Sequence, residues 1–463
     1  MNIEKLKSEI RKTAALNNIT VQEMWDKYFF ETFLVRLSKS EFVSNFVLKG
    51  GFFLENIIGV EHRTTLDLDF SYRLNDIDEI VLRQKINSII EIENREVKLQ
   101  IKDINSIADQ DKYQGFRVRI FASIGNIRKT FSIDIATGDT ITPSPQRLEY
   151  KTLLPEYKIY IQSYNLETML AEKFQTVIER NVSNTRMKDF YDIYVLMHHK
   201  DLDKDLFHDV LVNTFETRKT SIRKTDIEFI LKKIKDSKLL EKSYHDYSKK
   251  TSFAKDVKYN QITDAFEKTK NMIKYQDEFH LQFKSFILIR HGEDDQNKLG
   301  GWSDSDLTDL GIAQIKQLKK EIEKRITHDQ EIIVISSDLK RASDTTKLLF
   351  ANDYSVIFEK DLRECNNGDL ANLNKEIFNE KYPGLYFHSL KYEQKYPNGE
   401  SPNDYYERIK VFMKKINDKY SSKHLIVVAH LGTYGIIKSM ISGIVWSNKQ
   451  KYSLGYAEYF EFV

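Results

Sequence analysis

The sequence predicts two domains: an α+β domain with a mixed sheet and a helical half, followed by a three-layer α/β/α domain. Its 463 residues suit two or three domains that each bury a core. Short alternating strands up to about residue 160 precede a lysine-rich helical stretch over 165–277. From residue 278, short apolar strands alternate with amphipathic helices, the pattern of a largely parallel sheet. We therefore predict domains over 1–277 and 278–463.

The composition excludes a global attraction to nucleic acid or membranes. Lys and Arg total 71 and Asp and Glu total 69, so the net charge is +2 and any such attraction must be local. Cys365 is the only cysteine, which rules out an intramolecular disulfide and fits a reducing compartment. No apolar leader and no 18-residue apolar run is present, so we expect a cytoplasmic protein with no membrane partner.

The first domain begins with helices and continues as strands. Residues 1 to about 45 have a helical pattern. Apolar residues then alternate with polar ones in four stretches, which predicts half-buried strands at 65–72, 97–104, 115–124 and 131–136. The sheet core should therefore span about residues 45–160, with the helical part after it.

Three aspartates and a glycine pair predict a cation and nucleotide site in this domain. Asp67 and Asp69 in TTLDLDF point to one strand face, and two such carboxylates can hold Mg²⁺ together with a nucleotide. Asp134 in FSIDIA is the candidate third ligand or general base, because its apolar neighbours occupy the opposite face. Gly50-Gly51 allows a tight turn that lets a helix N-terminus face a phosphate.

Two charged side chains fall on apolar helix faces between residues 165 and 197. Asn165 is the predicted N-cap of the first helix, Lys173 lies on its apolar stripe, and Asp189 lies on that of the next helix. Taken alone, these residues are better explained by an ion pair that holds two helices together, with Arg186 as another partner for Asp189. In the nucleotide-binding interpretation, Lys173 screens the charge of the leaving pyrophosphate.

A basic segment follows at residues 218–242, with nine Lys or Arg against four Asp or Glu. It could track the phosphates of tRNA, but a solvated helix face explains it at least as well.

The first domain resembles the AbiEii/AbiGii toxin family of nucleotidyltransferases over roughly residues 25–275. Five motifs in order carry the resemblance: LKGGFFLENII, RTTLDLDF, SIDIATGDTITP, LETMLAEKFQTV and NTRMKDFYDIYVL. It implies a nucleotidyltransferase fold whose Asp-x-Asp pair binds Mg²⁺ and a nucleoside triphosphate. The implied site residues are Gly50, Gly51, Thr65, Asp67, Asp69, Lys173, Lys188 and Asp189. Several members are toxins of toxin-antitoxin or phage-defence systems, some of which add nucleotides to tRNA, and a separate antitoxin is a possible partner.

In the second domain, each predicted strand or strand-like segment is followed by a candidate for phosphate chemistry. FILIRHGE carries Arg290 and His291, SSDLKRASDTT carries Arg341, LRECNNGDL carries Glu364, and VVAHLGT carries His430. Parallel sheets bind ligands at the C-terminal ends of their strands. Two arginines and two histidines at one such edge would form a pocket for a phosphoryl group.

These motifs, with GGWSDSDLTDLG and KYPNGES, closely resemble the histidine phosphatase (phosphoglycerate mutase-like) superfamily over about residues 284–440. The resemblance implies that His291 attacks phosphorus to form a phosphohistidine and that Glu364 serves as acid and then base. The implied phosphate ligands are Arg290, Asn297, Arg341 and His430, and no metal is needed. Leu431 and the segment GDLANLNK depart from the usual pattern, which leaves the phosphomonoester substrate open. A mutase normally has a longer cap, so hydrolysis is the better expectation.

Together these features predict a toxin or defence enzyme that adds nucleotides to tRNA and carries a fused phosphatase. The alternative is a metabolic enzyme that couples dephosphorylation to nucleotidyl transfer onto a small molecule. A third interpretation keeps one domain only as a binding module.

Overall fold

The computed structural model describes residues 3–462 except 18, 60–64, 66, 74–76, 93–95, 109–113, 139–140, 143, 155–157, 327–330 and 351–352. Parts of the predicted motifs RTTLDLDF and SIDIATGDTITP therefore lie outside the described residues. By internal contacts the chain forms two compact units. The first unit comprises the residues up to Leu211 and Leu231–Thr269, and the second comprises Val212–Ile230 and the residues from Lys270 onward.

A mixed seven-stranded sheet forms the centre of the first unit. Its strands are β1 (Phe46–Lys49), β2 (Asp67–Tyr72), β3 (Lys98–Ala108), β4 (Gln114–Ile124), β5 (Ile127–Thr137), β6 (Gln146–Lys151) and β7 (Lys158–Ser163). Their order across the sheet is β3-β4-β5-β2-β1-β7-β6. β2 runs parallel to β5 and antiparallel to β1. The apolar residues of β2, Leu68 and Phe70, are fully buried, so the aspartates that alternate with them lie on the other face.

Helices precede, interrupt and follow this sheet. They are α1 (Ile3–Leu16), α2 (Val21–Lys39), α3 (Gly50–Ile58), α4 (Glu79–Glu91), α5 (Leu166–Arg180), α6 (Met187–Met197), α7 (Lys204–Thr217), α8 (Lys224–Asp236), α9 (Lys238–Lys250) and α10 (Tyr259–Lys270). The predicted N-cap is confirmed, because the Asn165 side chain accepts a hydrogen bond from the Thr168 amide at 2.7 Å.

The second unit contains a five-stranded sheet in the order β10-β9-β11-β8-β12. Its strands are β8 (Ser285–Arg290), β9 (Ile332–Ser337), β10 (Val356–Glu359), β11 (His424–Ala429) and β12 (Tyr459–Phe462). The first four are mutually parallel, and β12 is antiparallel to β8 at the edge. The parallel strands therefore end at one edge, as the sequence predicts.

Five longer helices accompany this sheet: α11 (Asp309–Ile322), α12 (Lys340–Phe350), α13 (Lys375–Lys381), α14 (Pro402–Lys419) and α15 (Leu431–Ile441). Alternate residues of the strands pack into two separate hydrophobic cores. Leu425 and Val427 of β11 pack in a cluster with α14 and α15, whereas Ile426 and Val428 pack in a cluster with α11 and α12. A parallel sheet buried on both faces needs such apolar runs, and the predicted three-layer fold is confirmed.

Within the described ranges, no helix has both the length and the apolar character needed to cross a membrane.

Candidate active sites

A row of four charged side chains crosses the first sheet. Lys49 on β1 is the register partner of Asp69 on β2, Asp69 is the partner of Asp134 on β5, and Asp134 is the partner of Arg117 on β4. Directly opposed residues of neighbouring strands point to the same face. The row therefore places two carboxylates side by side, with a cation at each end.

The turn at Gly50 is shaped around Asp69. Gly50 has a φ of 70°, and a Cβ added there would lie 2.0 Å from Asp69 Oδ2. Only glycine suits this position, because it combines a left-handed backbone with direct contact to a carboxylate. α3 begins at this residue, and Gly51 is buried in its first turn. The structure thus has the predicted tight turn and helix start next to the Asp-x-Asp strand.

The surroundings of Asp69 disfavour its negative charge. Burial raises its pKa, Lys49 opposes that rise, and the Asp134 and Asp67 carboxylates add to it. A cation bound between Asp67 and Asp69 would relieve this repulsion. The two carboxylates therefore fit as a ligand pair for a hard divalent cation such as Mg²⁺.

The Asp134 carboxylate, unlike that of Asp69, is paired with an arginine. Both of its oxygens accept hydrogen bonds from Arg117, from Nε at 2.8 Å and from Nη2 at 2.6 Å. In the part of the chain that the structure describes, no three His, Cys, Asp or Glu residues are grouped to hold a metal ion. Asp134 lies beside Asp69, as a third ligand or base should, but its carboxylate is paired with Arg117.

The start of β2 is anchored by a polar network. Thr65 Oγ1 accepts from the Asp67 amide at 3.3 Å, and the Thr65 amide donates to Glu55 Oε2 at 3.2 Å. Glu55 forms a buried ion pair with Lys27. Thr65, predicted to bind nucleotide, is thus placed next to Asp67, and Lys188 Nζ lies 4.0 Å from Asp67 Oδ2 on the exposed side.

Lys173 lies between two aspartates of α6. Its Nζ is 2.7 Å from Asp189 Oδ1 and 2.7 Å from Asp192 Oδ2, and Arg186 Nε is 2.8 Å from Asp189 Oδ2. Although burial lowers the pKa of Lys173, the two carboxylates outweigh it and the net shift is upward. This is the arrangement expected of an ion pair between helices, and contact of Lys173 with a nucleotide stays a prediction.

The basic segment 218–242 forms α8 and the first turn of α9, and Lys232, Lys233 and Lys235 are exposed there. This exposure is compatible with either of its two interpretations.

In the second unit, the edge where the parallel strands end gathers the predicted phosphate residues. His291 follows β8, Ser337 ends β9 and His430 follows β11. The ring centroids of His291 and His430 lie 5.1 Å apart, and both histidines are buried. Arg341 enters the same edge from the first turn of α12.

His291 is oriented as a nucleophile. Its Nδ1 lies 2.7 Å from the Gly292 carbonyl oxygen, which can only accept, so Nδ1 carries the proton and Nε2 is unprotonated. Burial lowers the pKa of His291, and the nearby guanidinium groups of Arg341 and Arg290 lower it further. The imidazole is therefore held neutral, as attack on phosphorus requires.

Arg341 points directly at that nucleophile. Its Nε donates to His291 Nε2 at 3.2 Å. Its Nη1 donates to Ser303 Oγ at 3.0 Å, its Nη2 donates to the Gly301 carbonyl at 2.8 Å, and Asp294 lies 3.6 Å away. The guanidinium is thus fixed where it can contact a phosphoryl group at His291.

His430 has one satisfied and one open nitrogen. Nε2 lies 2.9 Å from Ser337 Oγ, whereas Nδ1 is buried and has no hydrogen-bond partner among the described residues. Burial lowers its pKa, and Arg341 lowers it further. A buried polar atom without a protein partner is rare, and Nδ1 is thus available to contact a bound group.

Glu364 is held by two main-chain amides. Oε1 accepts from the Cys365 amide at 3.0 Å, and Oε2 accepts from the Gly432 amide at 3.2 Å. A Cβ at Gly432 would lie 2.3 Å from Oε1 and 2.9 Å from the Tyr405 hydroxyl. The carboxyl group therefore lies directly against the start of α15, at a residue two positions after His430.

The two remaining predicted phosphate ligands, Arg290 and Asn297, lie in different surroundings. Arg290 Nη1 donates to the Leu454 carbonyl at 2.6 Å, its guanidinium lies 3.7 Å from the Tyr456 ring centroid, and its buried Nε has no partner in the described ranges. Asn297 is exposed, and its carbonyl accepts from the Lys375 amide at 2.9 Å. Arg290 thus lies half-buried near His291, whereas the structure places Asn297 at the surface.

Sequence reasoning missed several neighbours that shape these sites. Ser303 and Ser337 hold Arg341 and His430, Tyr456 stacks on Arg290, and Arg117 binds Asp134. Ser303 stands in the motif GGWSDSDLTDLG and Ser337 ends a predicted strand, so both could have been considered. The local sequence does not point to Tyr456 or Arg117. Strand register brings Arg117 to Asp134, and Tyr456 meets Arg290 although the two are far apart in sequence.

Comparisons with known proteins agree with both resemblances. Residues 32–270 match the family model described as nucleotidyl transferase AbiEii toxin, type IV TA system, and residues 286–462 match histidine phosphatase superfamily, branch 1. Phosphoglycerate mutase-like protein 4 of Arabidopsis thaliana is 31% identical over 170 residues, which cover 35% of this chain and 70% of that protein. A 2,3-bisphosphoglycerate-dependent phosphoglycerate mutase of Methylocella silvestris is 32% identical, over 31% of this chain and 74% of that protein. A metal-independent phosphoserine phosphatase of Arabidopsis thaliana is 32% identical, over 32% of this chain and 63% of that protein.

Proposed function

The chain belongs to the AbiEii nucleotidyltransferase toxin family through residues 32–270 and to the histidine phosphatase superfamily through residues 286–462, and we propose that it is a bifunctional toxin- or defence-type enzyme. One unit transfers a nucleotide from a nucleoside triphosphate to tRNA. The other hydrolyses a phosphomonoester through a phosphohistidine. A separate antitoxin and a role against phage belong to the same proposal.

The phosphatase step is supported above all by the approach of Arg341 Nε to His291 Nε2. A phosphoryl group bound there would replace that contact. It would accept hydrogen bonds from Arg341, Arg290 and, in the tautomer of the neutral ring that carries its proton on Nδ1, His430. His291 Nε2 forms a bond to phosphorus as the ester P–O bond breaks, and the Glu364 carboxyl group gives its proton to the leaving alcohol oxygen.

The second half of that reaction restores the enzyme. The Glu364 carboxylate takes a proton from a water molecule, whose oxygen bonds to phosphorus as the bond to His291 Nε2 breaks. Inorganic phosphate leaves, and Glu364 is protonated again. This cycle uses side chains alone, so we expect hydrolysis to continue in the presence of a metal chelator.

The transferase step is supported by the charged row and the Gly50 turn. Asp67 and Asp69 would hold Mg²⁺, which when bound neutralises phosphate charge and helps to align the triphosphate. Lys49 and Lys188 lie close enough to these carboxylates to add positive charge around the phosphates. The first main-chain amides of α3, which begins at Gly50, point toward the same anion in the proposed arrangement. Asp134, once released by Arg117, would receive the proton of the acceptor hydroxyl.

The experiment incubates the purified protein with Mg²⁺, total tRNA and each α-³²P-labelled nucleoside triphosphate. Wild type is compared with Asp69→Ala and His291→Ala, and a parallel series contains a chelator. We expect label on tRNA that disappears with Asp69→Ala or the chelator. Phosphomonoester hydrolysis should disappear only with His291→Ala.

Two results would count against the proposal. Absence of label on tRNA with every triphosphate would reject the tRNA acceptor and turn the search to small molecules, as the metabolic alternative predicts. Hydrolysis that persists in His291→Ala would reject the phosphohistidine.

A further inference from the structure

A cavity of about 470 Å³ opens beside Glu364 within the second unit. Its wall is built mainly from apolar and aromatic side chains, among them Leu299, Phe378, Leu385, Phe387, Leu431 and Trp446. The volume lies in the range of pockets that bind whole small molecules. The cavity thus adjoins the group that protonates the leaving alcohol in the proposed reaction.

Acidic and basic side chains are sparse on this wall. Among the described lining residues they are Glu364, Lys451 and His388. Burial lowers the pKa of His388, whose Nδ1 contacts the Asn448 carbonyl, so this ring is neutral at pH 7. Lys451 is exposed, which leaves its ammonium group in water. No arginine stands among the described lining residues.

A carboxylate on the leaving group would be poorly accommodated here. It would lose water against apolar side chains, and the exposed Lys451 would offer it only a weak, solvent-screened attraction. A phenyl or alkyl group would gain from burial against the same wall.

We propose that this cavity selects phosphomonoesters of uncharged, largely apolar or aromatic alcohols and disfavours esters that carry a carboxylate. The inference rests on the proposed phosphatase activity and adds its substrate class. The names of the Methylocella silvestris mutase and the Arabidopsis thaliana phosphoserine phosphatase state phosphoglycerate and phosphoserine, which both carry a carboxylate. Leu431, where the sequence departs from the family pattern, is part of the apolar wall.

The test compares kcat/KM of the full chain for 3-phenylpropyl phosphate, ethyl phosphate and O-phosphoserine. All three are primary alkyl esters, so the bond that breaks is the same and the substituent differs. We expect 3-phenylpropyl phosphate to exceed ethyl phosphate by about tenfold or more, as burial of several methylene equivalents allows, and O-phosphoserine to fall below ethyl phosphate.

Leu385→Arg tests whether the cavity is responsible. Leu385 is half-buried in the wall, so an arginine there would offer a partner to a carboxylate. We expect the ratio of 3-phenylpropyl phosphate to O-phosphoserine to fall at least tenfold. Phe358→Ala on β10 is the matched control, because Phe358 is 45% exposed and does not line the cavity. Its ratio should equal that of the wild type.

Each outcome is decisive. O-phosphoserine turned over as well as 3-phenylpropyl phosphate would overturn the selectivity and leave the phosphatase standing. A wild-type preference that Leu385→Arg does not change would place selectivity outside the cavity and also overturn the inference. Hydrolysis of none of the three esters would reject both the inference and the phosphatase activity beneath it.

Discussion

The contact between Gly432 and Glu364 predicts that Gly432→Ala impairs one chemical step while the fold survives. The added Cβ would lie 2.3 Å from Glu364 Oε1, whereas ordinary contacts begin at 3.4 Å, so the carboxyl group must retreat by about 1 Å. Displacements of that size cost roughly 10²-fold in rate, or about 2.7 kcal/mol in the barrier. Alanine is also the better helix former in α15 by about 1 kcal/mol, which helps to preserve stability.

The assay compares two leaving groups, so that a loss of acid catalysis can be told apart from other losses of activity. Ethyl phosphate needs a proton on its departing oxygen, but p-nitrophenyl phosphate releases a stable anion without one. We therefore expect kcat/KM of Gly432→Ala to fall about 100-fold for ethyl phosphate and only a few fold for p-nitrophenyl phosphate. Glu364→Gln should show the same dependence on the leaving group.

A double variant provides the matched control. Glu364→Asp shortens the side chain by one methylene and makes room for the Cβ, so Gly432→Ala should cost much less in that background. Equal losses of Gly432→Ala for both esters would refute the reasoning, and so would an ethyl phosphate rate equal to that of the wild type. Thermal unfolding of each variant checks that the fold is intact.

Three further predictions concern the first unit. Gly50→Ala combines a left-handed φ with a Cβ 2.0 Å from Asp69 Oδ2, so the rate of nucleotidyl transfer should fall at least about 100-fold. The rate of p-nitrophenyl phosphate hydrolysis in the same preparation should stay within twofold of wild type. Arg117→Ala removes the partner of Asp134 and should tighten Mn²⁺ binding about tenfold in titration calorimetry; unchanged affinity would exclude Asp134 as a ligand. Burial raises the pKa of Glu31 to about 7 from 4.5, so the folded state binds an extra proton between those values and loses stability as pH rises through them. Between pH 5 and pH 8, the free energy of unfolding should therefore fall by on the order of 3 kcal/mol more for wild type than for Glu31→Gln. A difference between the two proteins that does not depend on pH would contradict the raised pKa.

Much of the fold follows from local pattern. The alternation in FSIDIA places Ile133 and Ile135 inside and Asp134 outside, and β5 has that arrangement. In the second unit, the ends of parallel strands meet at one edge, so His291 and His430 could be expected together without knowledge of any distance.

The charged row could not be predicted in the same way. Arg117 meets Asp134 only because β4 pairs with β5 in one register, and a shift of one residue would send the arginine to the other face. Register depends on the whole sheet and on the turn between the strands, neither of which the local pattern specifies. The cavity has the same origin, since its walls come from segments between Leu299 and Tyr452 that are distant in sequence.

The hydrogen bond from His291 Nδ1 to the carbonyl of the very next residue has a consequence for regiochemistry. With Nδ1 occupied by its own proton, the proposed phosphorylation would occur on Nε2, and the covalent intermediate would be the tele isomer of phosphohistidine. The acceptor is a main-chain oxygen, so truncation of a neighbouring side chain does not delete it. The isomer of the proposed intermediate therefore depends on the backbone at Gly292 and not on a neighbouring side chain.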